Sequence, residues 1–495
     1  MLRKNTWATY TQKQMKEADK FAEDYKNFLD NAKTEREAID TIVNDIEAAG
    51  YVELSTLIGG RKKLKKGDKV YSVWMNKSIV IAQIGSEPLE NGLNILGAHI
   101  DSPRIDVKQN PLYEKSGIAY LDTHYYGGIK KYQFVAMPLA LHGVVVKKDG
   151  TTCQINVGDD EDDPVFFISD ILIHLAQDQM TKPAAKAIEG EALDLVIGNK
   201  PFIVEGDKKT KAAKKNTKLT AGQQYALDAE ELSGAESKKV SGAVRRGMLA
   251  ILKDNYGIEE EDFLSAELEI VPAGKARDAG FDRSMVLGYG QDDRVCAYPS
   301  MRAILEVSNL KKTGVCILVD KEEIGSVGAT GMQSHFFENA IAEIMNLCGQ
   351  YSDLSLRRCL ANSCMLSSDV SAAYDPSFAG CFEEKNAAFL GGGLVFNKFT
   401  GSRGKSGSND ANAEYLAAIR KVCDDNKVNF QTAELGKVDV GGGGTIAYIL
   451  ALYGMNVVDA GVPVLNMHAP YEATSKADIY ESLRGYKAFL TDMDF

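Results

Sequence analysis

Five short motifs, each bearing a histidine or an acidic side chain, constrain the fold of this 495-residue chain more than any other feature. Four of them come directly after apolar runs of strand length. The motifs lie at Ile95–Asp101, Gly290–Arg294, Ile317–Glu323, Met365–Asp369 and Val464–His468. In an open α/β sheet, ligands bind in the crevice beyond the carboxyl ends of the strands. Strands that are distant in sequence could therefore bring two histidines and several carboxylates to one site.

Helical and strand-like segments alternate on either side of a central stretch. The first 50 residues are helical by periodicity, with a capping box from Thr34 to Glu37 and a stop at Gly50. Further helices are predicted at 335–347, at 410–425 and from Ser475 onward. Strands are predicted at 70–74, 78–84, 94–98, 315–319, 365–368 and 462–466. This alternation predicts an α/β fold with a mixed central sheet covered by helices on both faces.

The central stretch has a different character. It contains β-rich pieces, two helical pieces and a segment with six lysines at Asp207–Lys218, which we expect to be an exposed loop. None of the five motifs falls within it. We therefore predict a discontinuous catalytic domain, 1–106 and 282–495, interrupted by an inserted β-rich domain at 107–281.

Composition excludes several classes of function. A net charge of −12 argues against nucleic-acid binding, which requires a basic surface. No apolar run reaches the ~18 residues of a membrane span, and the N-terminus lacks the apolar core of a secretory signal. The eight cysteines contain no CxxC pair, so we expect them to be reduced and buried. These features predict a cytoplasmic enzyme with no nucleic-acid or membrane partner.

The motif chemistry favours a metal site. His99 can bind a metal through one ring nitrogen while Asp101 holds the other nitrogen and fixes the tautomer. Two divalent ions about 3.5–4 Å apart need an anion between them, and the pair Asp292-Asp293 offers a carboxylate that could bridge them. Arg294 would then neutralise Asp293, although an Asp/Arg cluster of this kind can also be a surface feature. Histidine with carboxylates is the ligand set of zinc or manganese in hydrolases.

The pair Glu322-Glu323 adds a base to this site. One carboxylate can ligate a metal while the other faces a water molecule. Metal binding lowers the pKa of that water from about 15.7 to about 7, so a nearby carboxylate can take its proton. Asp369 and His468 supply further ligands at two other strand ends.

Four histidines remain outside the five motifs. We expect His124, His142 and His335 to be non-ligands, because His335 starts a predicted helix and the other two lie in the inserted region without partners. His174 lies in the apolar run Ile171–Leu175, which predicts a helix. Such a residue is ordinarily a core or interface histidine.

At these motifs the sequence resembles the aminopeptidase I / aspartyl aminopeptidase family of two-metal zinc exopeptidases. Gly97–Arg104, which reads GAHIDSPR, is the strongest signal. Glu322–Ser326 and Asn466–Pro470 agree with the family in order and spacing. The resemblance covers essentially the whole chain, including the central insertion.

The resemblance implies a role for each motif residue. His99, Asp292 and Asp369 should hold one divalent metal, and Asp292, Glu323 and His468 the other. The ions should be Zn²⁺, with Co²⁺ or Mn²⁺ as alternatives, and Glu322 should be the general base.

The resemblance also implies an assembly. The inserted domain should form dimers, and six dimers should close a tetrahedral dodecamer. Through this contact His174 should reach the active site of a neighbouring subunit and polarise the carbonyl of the bond that is cleaved.

One position departs from the family pattern. Acid-specific animal members place a lysine after a strand similar to Gly393–Phe396, where it binds an acidic substrate side chain. Here Asn397 occupies that position and Lys398 follows. A neutral or hydrophobic first residue is therefore at least as compatible with the sequence as an acidic one.

Taken as a whole, the sequence predicts a metal-dependent aminopeptidase that acts on peptides with a free N-terminus. The nearest alternative is a deacylase or carboxypeptidase on the same metal scaffold. A non-catalytic assembly protein is a third reading, against which the intact set of Glu322 and five ligand residues argues.

Overall fold

The computed structural model describes residues 4–60, 62–201 and 242–495, and the chain divides into two compact units. The first combines Met1–Pro103 with Lys275–Phe495, and the second is Arg104–Gly274. The expected boundaries, 107 and 281, lie a few residues further along the chain. Arg104 already begins a strand of the second unit's sheet, whereas Arg277–Ala279 pairs with a strand of the first unit. The predicted loop Asp207–Lys218 lies outside the described residues.

Strands and helices of the described residues are numbered in chain order. The strands are β1 (Val52–Glu53), β2 (Lys69–Trp74), β3 (Ser78–Gln83), β4 (Leu93–His99), β5 (Arg104–Lys115), β6 (Ile118–Tyr126), β7 (Leu139–Val146), β8 (Thr152–Val157), β9 (Phe167–Ile168), β10 (Leu195–Gly198), β11 (Ala266–Pro272), β12 (Arg277–Ala279), β13 (Met285–Gly288), β14 (Thr313–Val319), β15 (Cys364–Ser367), β16 (Ser371–Ala372), β17 (Leu394–Asn397), β18 (Phe430–Thr432), β19 (Asn456–Gly461), β20 (Pro463–Val464) and β21 (Glu472–Ser475). The helices are α1 (Gln12–Asn31), α2 (Glu35–Ala48), α3 (Gln177–Thr181), α4 (Ala184–Ala187), α5 (Ala243–Tyr256), α6 (Gln291–Glu306), α7 (Phe336–Leu347), α8 (Asp353–Ala361), α9 (Ser402–Lys405), α10 (Ala413–Asp425), α11 (Ala447–Ala451) and α12 (Lys476–Asp492).

A nine-stranded mixed sheet forms the centre of the first unit. Its strand order is β1-β2-β3-β14-β4-β15-β19-β17-β18. Strands β14, β4, β15 and β19 run parallel to one another. At the two ends of this group, β3 runs antiparallel to β14 and β17 runs antiparallel to β19. The carboxyl ends of β14, β4 and β15 therefore meet at one edge, with β4 between strands that come much later in sequence.

Two hydrophobic clusters cover the two faces of this sheet. Leu96 of β4 and Leu318 of β14 join the cluster that includes residues of α1, α2, α6 and α12. Ile95 and Ile317, one position earlier on the same strands, join the cluster formed with α7, α8 and α11. Successive side chains of a strand point to opposite faces, so helices pack on both sides. This confirms the predicted fold class.

The helix signals in the sequence correspond to observed caps. Thr34 and Glu37 form the predicted capping box at the start of α2, and Gly50 has a left-handed φ of 85° just beyond its end. The last helix starts at Lys476, with Ser475 as its N-cap residue.

The second unit is built on a seven-stranded antiparallel sheet with the order β8-β7-β11-β5-β6-β10-β9. Its own hydrophobic cluster includes Ile105, Leu141, Leu195 and Ile270, and Leu252 of α5 packs against it. The unit therefore has a core independent of the nine-stranded sheet.

Two sequence expectations differ from the structure. The run Ile171–Leu175 does not form an apolar helix: it contains a single 3-10 turn, Ile173–Leu175, and all five residues are exposed. The cysteines carry free thiols, but Cys381 is exposed and Cys153 and Cys348 are only partly buried. Among the described residues, no helix is long and apolar enough to cross a membrane.

Candidate metal centre

Three candidate ligand-bearing segments start at the same edge of the nine-stranded sheet. His99 is the last residue of β4. Glu322 and Glu323 follow β14 in a 3-10 turn, and Asp369 lies two residues after β15. Because β4 pairs with both β14 and β15, their carboxyl ends are adjacent.

The remaining two candidate ligands come from irregular backbone. Asp292 and Asp293 lie in the first turn of α6, but neither has helical φ and ψ angles, and the peptide bond between them is cis. His468 follows β20 and has a left-handed φ of 63°. Neither conformation follows from a hydrophobic pattern.

Asp292 lies between the two histidines. Its Oδ1 atom is 3.2 Å from His99 Nε2, and its Oδ2 atom is 3.2 Å from His468 Nε2. His99 Nε2 is also 3.9 Å from Asp369 Oδ1 and 4.0 Å from Glu322 Oε2, whereas His468 Nε2 is 3.6 Å from Glu323 Oε1. The two oxygens of the Asp292 carboxylate thus face two different histidines.

The donor atoms are close enough to share metal ions. In three groups, ligand-type atoms all lie within 4.8 Å of one another, namely His99 with Glu322 and Asp369, His99 with Asp292 and Glu323, and Asp292 with Asp293 and Asp369. These groups overlap the predicted ligand sets but differ from them: Glu322 groups with His99 and Asp369, Glu323 groups with His99, and His468 belongs to none of the three. His99 Nε2, Asp292 Oδ1 and Glu323 Oε1 are buried without a hydrogen-bond partner. Buried polar atoms are normally satisfied, and an imidazole–carboxylate set suits zinc, so these residues fit a metal.

Asp101 links two parts of this site. It is fully buried, and its Oδ1 atom is 3.2 Å from His99 Nδ1. The same Oδ1 accepts a hydrogen bond from the Glu322 amide, and Oδ2 accepts one from the Glu323 amide, both at 3.1 Å. One carboxylate therefore orients the His99 ring and the adjacent glutamates.

Two further acids hold the backbone of the site: Asp293, for which the sequence predicted a different partner, and Glu472, which the sequence reasoning missed. Asp293 Oδ2 accepts a hydrogen bond from the His99 amide at 3.3 Å. Glu472, the first residue of β21, accepts from the Asp292 amide at 3.0 Å and from the His468 amide at 2.8 Å. Only its position four residues after His468 could have drawn attention to Glu472 in the sequence.

The crowding of acids shifts their pKa values. Burial raises the pKa of Glu322 to about 7, and the negative charges of Asp101 and Asp292 act in the same direction. Burial likewise raises the pKa of Asp369 and of Glu323 well above the ordinary range. These shifts indicate negative charge that the protein alone does not balance, which a bound divalent cation would compensate.

At His99 and Asp292, the neighbouring charges outweigh the effect of burial on the pKa. Burial alone would lower the pKa of His99, but the carboxylates of Asp101 and Asp292 raise it well above its ordinary value. Burial would raise the pKa of Asp292, but the neighbouring His468 and His99 outweigh burial and lower it.

Two expectations about neighbouring residues are wrong. Arg294 does not pair with Asp293: its guanidinium donates to the Lys33 carbonyl and lies over the Tyr289 ring. In the second unit, His142 does have a partner, because its Nε2 atom lies 3.1 Å from Asp159 Oδ2.

The other histidines lie outside the groups of possible ligands. His124 is exposed and lies next to the Tyr125 carbonyl, and His335 lies 3.2 Å from Glu338. His174 is exposed in its 3-10 turn in the second unit.

Asn397 ends β17 and is buried, directly opposite Asp459 of β19. Lys398 is instead half exposed and pairs with Asp410. The side chain of Lys398, which follows Asn397 in the sequence, is therefore held in an ion pair with Asp410.

Comparisons with known proteins identify the family of this chain. The family model "Aminopeptidase I zinc metalloprotease (M18)" matches residues 28–490. A probable M18 family aminopeptidase 1 from Clostridium acetobutylicum is 56% identical over 489 residues, covering 99% of this chain and 98% of that protein.

Two solved structures share the fold over its full length. The crystal structure of aminopeptidase I from Clostridium acetobutylicum is 54% identical, covers 99% of this chain and 100% of its own, and has a TM-score of 0.86. The M18 aminopeptidase from Thermotoga maritima is 39% identical, with full coverage of both chains and a TM-score of 0.88. The chain therefore belongs to the aminopeptidase I (M18) family of zinc metalloproteases, and it is a metalloaminopeptidase.

Proposed function

We propose that this protein removes the N-terminal amino acid from peptides with two divalent metal ions per subunit and Glu322 as general base. The observation that carries the proposal is the position of Asp292, whose two carboxylate oxygens each lie 3.2 Å from a different histidine. A carboxylate in that position can bridge two cations and reduce their mutual repulsion.

In this proposal Asp292 is shared by the two ions. His99 and Asp369 complete one ligand set, and Glu323 and His468 complete the other. Two histidines with carboxylates suit Zn²⁺, and Co²⁺ or Mn²⁺ could occupy the same donors. When bound, the ions would polarise the scissile carbonyl and acidify a water molecule.

Glu322 is the acid best suited to move the proton. Its Oε2 atom is 4.0 Å from His99 Nε2, so the carboxylate faces the donor groups. Its backbone amide is held by Asp101, which limits how far the side chain can shift. Glu322 accepts the water proton at a carboxylate oxygen and then delivers it to the departing amine.

His174 completes the proposed mechanism from a second subunit. It lies among exposed apolar residues, with Leu172 54% and Ile173 64% exposed. Apolar side chains that are exposed together indicate a surface for protein association. We propose that this surface forms a dimer, that six dimers form a tetrahedral dodecamer, and that His174 donates a hydrogen bond to the scissile carbonyl in the partner's site.

The preferred substrate is a peptide whose first residue is neutral or hydrophobic. Asn397 provides no positive charge for an acidic side chain, and Lys398 is paired with Asp410. The free α-amino group binds near the metals, which restricts cleavage to the first residue.

A comparison of three peptides tests this proposal. We expect metal-loaded protein to release leucine from a peptide with a free N-terminus, and to act neither on the N-acetylated peptide nor at the carboxyl end. Hydrolysis of the acetylated peptide would establish a deacylase, and release of the last residue a carboxypeptidase. No hydrolysis with Zn²⁺, Co²⁺ or Mn²⁺ would favour a non-catalytic assembly protein.

A further inference from the structure

Glu472 is an acidic side chain that the proposed chemistry does not use, and it is almost completely buried, with 1% of its surface exposed. It opens β21 of the small sheet β12-β13-β21, where it is paired with Gly288 of β13. Burying a carboxylate is costly unless hydrogen bonds compensate, so its contacts define its role.

Both oxygens of Glu472 accept hydrogen bonds from main-chain amides. Oε2 accepts from the Asp292 amide at 3.0 Å, and Oε1 accepts from the His468 amide at 2.8 Å. The Glu472 carbonyl is in turn held by the side chain of Gln291 at 2.5 Å. One side chain thus joins two segments about 180 residues apart in sequence.

The backbone at these two residues is irregular. His468 has a φ of 63°, which residues other than glycine rarely adopt. Asp292 lies in the first turn of α6 but has φ −83° and ψ 104°, outside the helical range. The conformation of His468 persists only where the surroundings fix it, and the hydrogen bond from its amide to Glu472 helps to do so. The same side chain also holds the Asp292 amide, at the non-helical start of α6.

The two residues have something else in common. In the proposed ligand sets, Asp292 and His468 both bind the second ion, and Asp292 is also shared with the first. Glu472 therefore holds two of the three ligands of the second ion but one of the three ligands of the first. Asp101, by contrast, contacts His99 and the amides of both glutamates. Each acid therefore supports a different part of the site.

We propose that Glu472 is a positioning residue that fixes the distance between Asp292 and His468, and thereby affects the affinity of the second metal ion more than that of the first. This inference rests on the proposed two-metal function. Outer hydrogen-bonding partners of metal ligands typically change metal affinity by about 10–100-fold when they are replaced.

The test is zinc binding by Glu472→Gln, measured without reference to activity. Glutamine has nearly the same shape but only one acceptor oxygen, so one of the two amides loses its partner. Metal-free protein is equilibrated with ZnCl₂ over a range of concentrations by dialysis, and bound zinc is counted by elemental analysis. We expect the second ion to bind about 10–100-fold more weakly and the first to be weakened less, since it shares only Asp292.

Asp478→Asn is the matched control. Asp478 is also a fully buried acid whose two oxygens accept main-chain amides, those of Gly391 and Gly393 at 2.7 Å each, but it touches no candidate ligand. It should lower thermal stability and leave both zinc affinities unchanged. Equal loss of zinc in the control and in Glu472→Gln would overturn the inference, since general destabilisation would then explain both.

The remaining outcomes are also decisive. If the wild type binds fewer than two zinc ions, the proposed function fails and this inference fails with it. If the wild type binds two and Glu472→Gln binds both equally well, or loses both equally, only the inference is overturned.

Should Glu472→Gln not fold, Glu472→Asp, whose side chain is too short to reach both amides, is measured with the same expectation. Failure of both variants to fold would overturn the proposal, because Glu472 would then be needed for the fold itself.

Discussion

The metal centre of the first unit and the Ile171–Leu175 segment of the second unit differ in how far their candidate functional residues are buried and held by hydrogen bonds. In the metal centre, His99 is 1% exposed and Asp292 is 3% exposed. Main-chain amides around them are held by Asp101 and Glu472. In the Ile171–Leu175 segment every residue is exposed, and among the described residues the His174 ring has no hydrogen-bond partner.

The difference shows what one chain can complete alone. A site whose residues are buried and held by the surrounding fold can keep its geometry in a single subunit. An exposed histidine on an apolar surface gains a fixed position only when another surface covers it. We therefore expect the function of the metal centre to require bound metal. The Ile171–Leu175 segment should take a fixed position only when subunits assemble.

The largest expected effect is that of metal removal. Exhaustive chelation should abolish peptide hydrolysis, because neither substrate polarisation nor acidification of water is then available. Added Zn²⁺ should restore it, and light scattering should show the same oligomer throughout. Full activity in protein shown by elemental analysis to be metal-free would contradict this expectation.

Glu322→Gln should have the next largest effect. The amide keeps the shape of the side chain but cannot accept a proton, and losing a general base typically costs about 10²–10⁴-fold in turnover. Bound metal should be unchanged. Glu323→Gln is the matched comparison and should instead lose metal. The opposite pair of results would reverse the two assignments.

His174→Ala should lower turnover by about 10²–10³-fold, the usual cost of one hydrogen-bond donor to a developing oxyanion. Metal content and oligomer size should stay unchanged. Mixing tests whether the residue acts across subunits: inactive Glu322→Gln subunits assembled with inactive His174→Ala subunits should regain part of the activity. Absence of any recovery in verified mixed oligomers would remove His174 from the partner's site.

Asp101→Asn should have a smaller effect, about 10–100-fold on metal affinity or activity. The amide cannot accept hydrogen bonds from both the Glu322 and Glu323 amides while also facing His99 Nδ1. Zinc titration with a fluorescent competitor measures the change. Unaltered zinc binding and unaltered turnover would show that Asp101 does not orient these residues.

Much of the fold could be predicted because it depends on periodic burial. The predicted strands at 94–98 and 315–319 correspond to β4 and β14, which are buried along their whole length. The capping box of α2 is a local signal and was equally predictable. The proximity of His99, the Glu322-Glu323 pair and Asp369 followed from the rule for parallel strand ends, whereas Asp292 and His468 reach the site from irregular backbone.

The features that were missed depend on contacts that are remote in sequence. Nothing near Arg294 indicates that its partner would be the carbonyl of Lys33, 261 residues away. Glu472 accepts its hydrogen bonds from the backbone, which leaves no side-chain pattern. The run Ile171–Leu175 has the apolar composition of a buried helix but is exposed. Composition alone does not reveal whether an apolar run is covered by its own chain.

The strand order of the nine-stranded sheet also has a consequence for biosynthesis. β4 ends at His99, and its neighbours β14 and β15 begin only at Thr313 and Cys364. At about 5–20 residues per second, the ribosome needs roughly ten to forty seconds to reach β14. During that interval the second unit, which is contiguous in sequence, can complete its own sheet, whereas β4 stays unpaired and its apolar side chains stay open to chaperones or to other nascent chains.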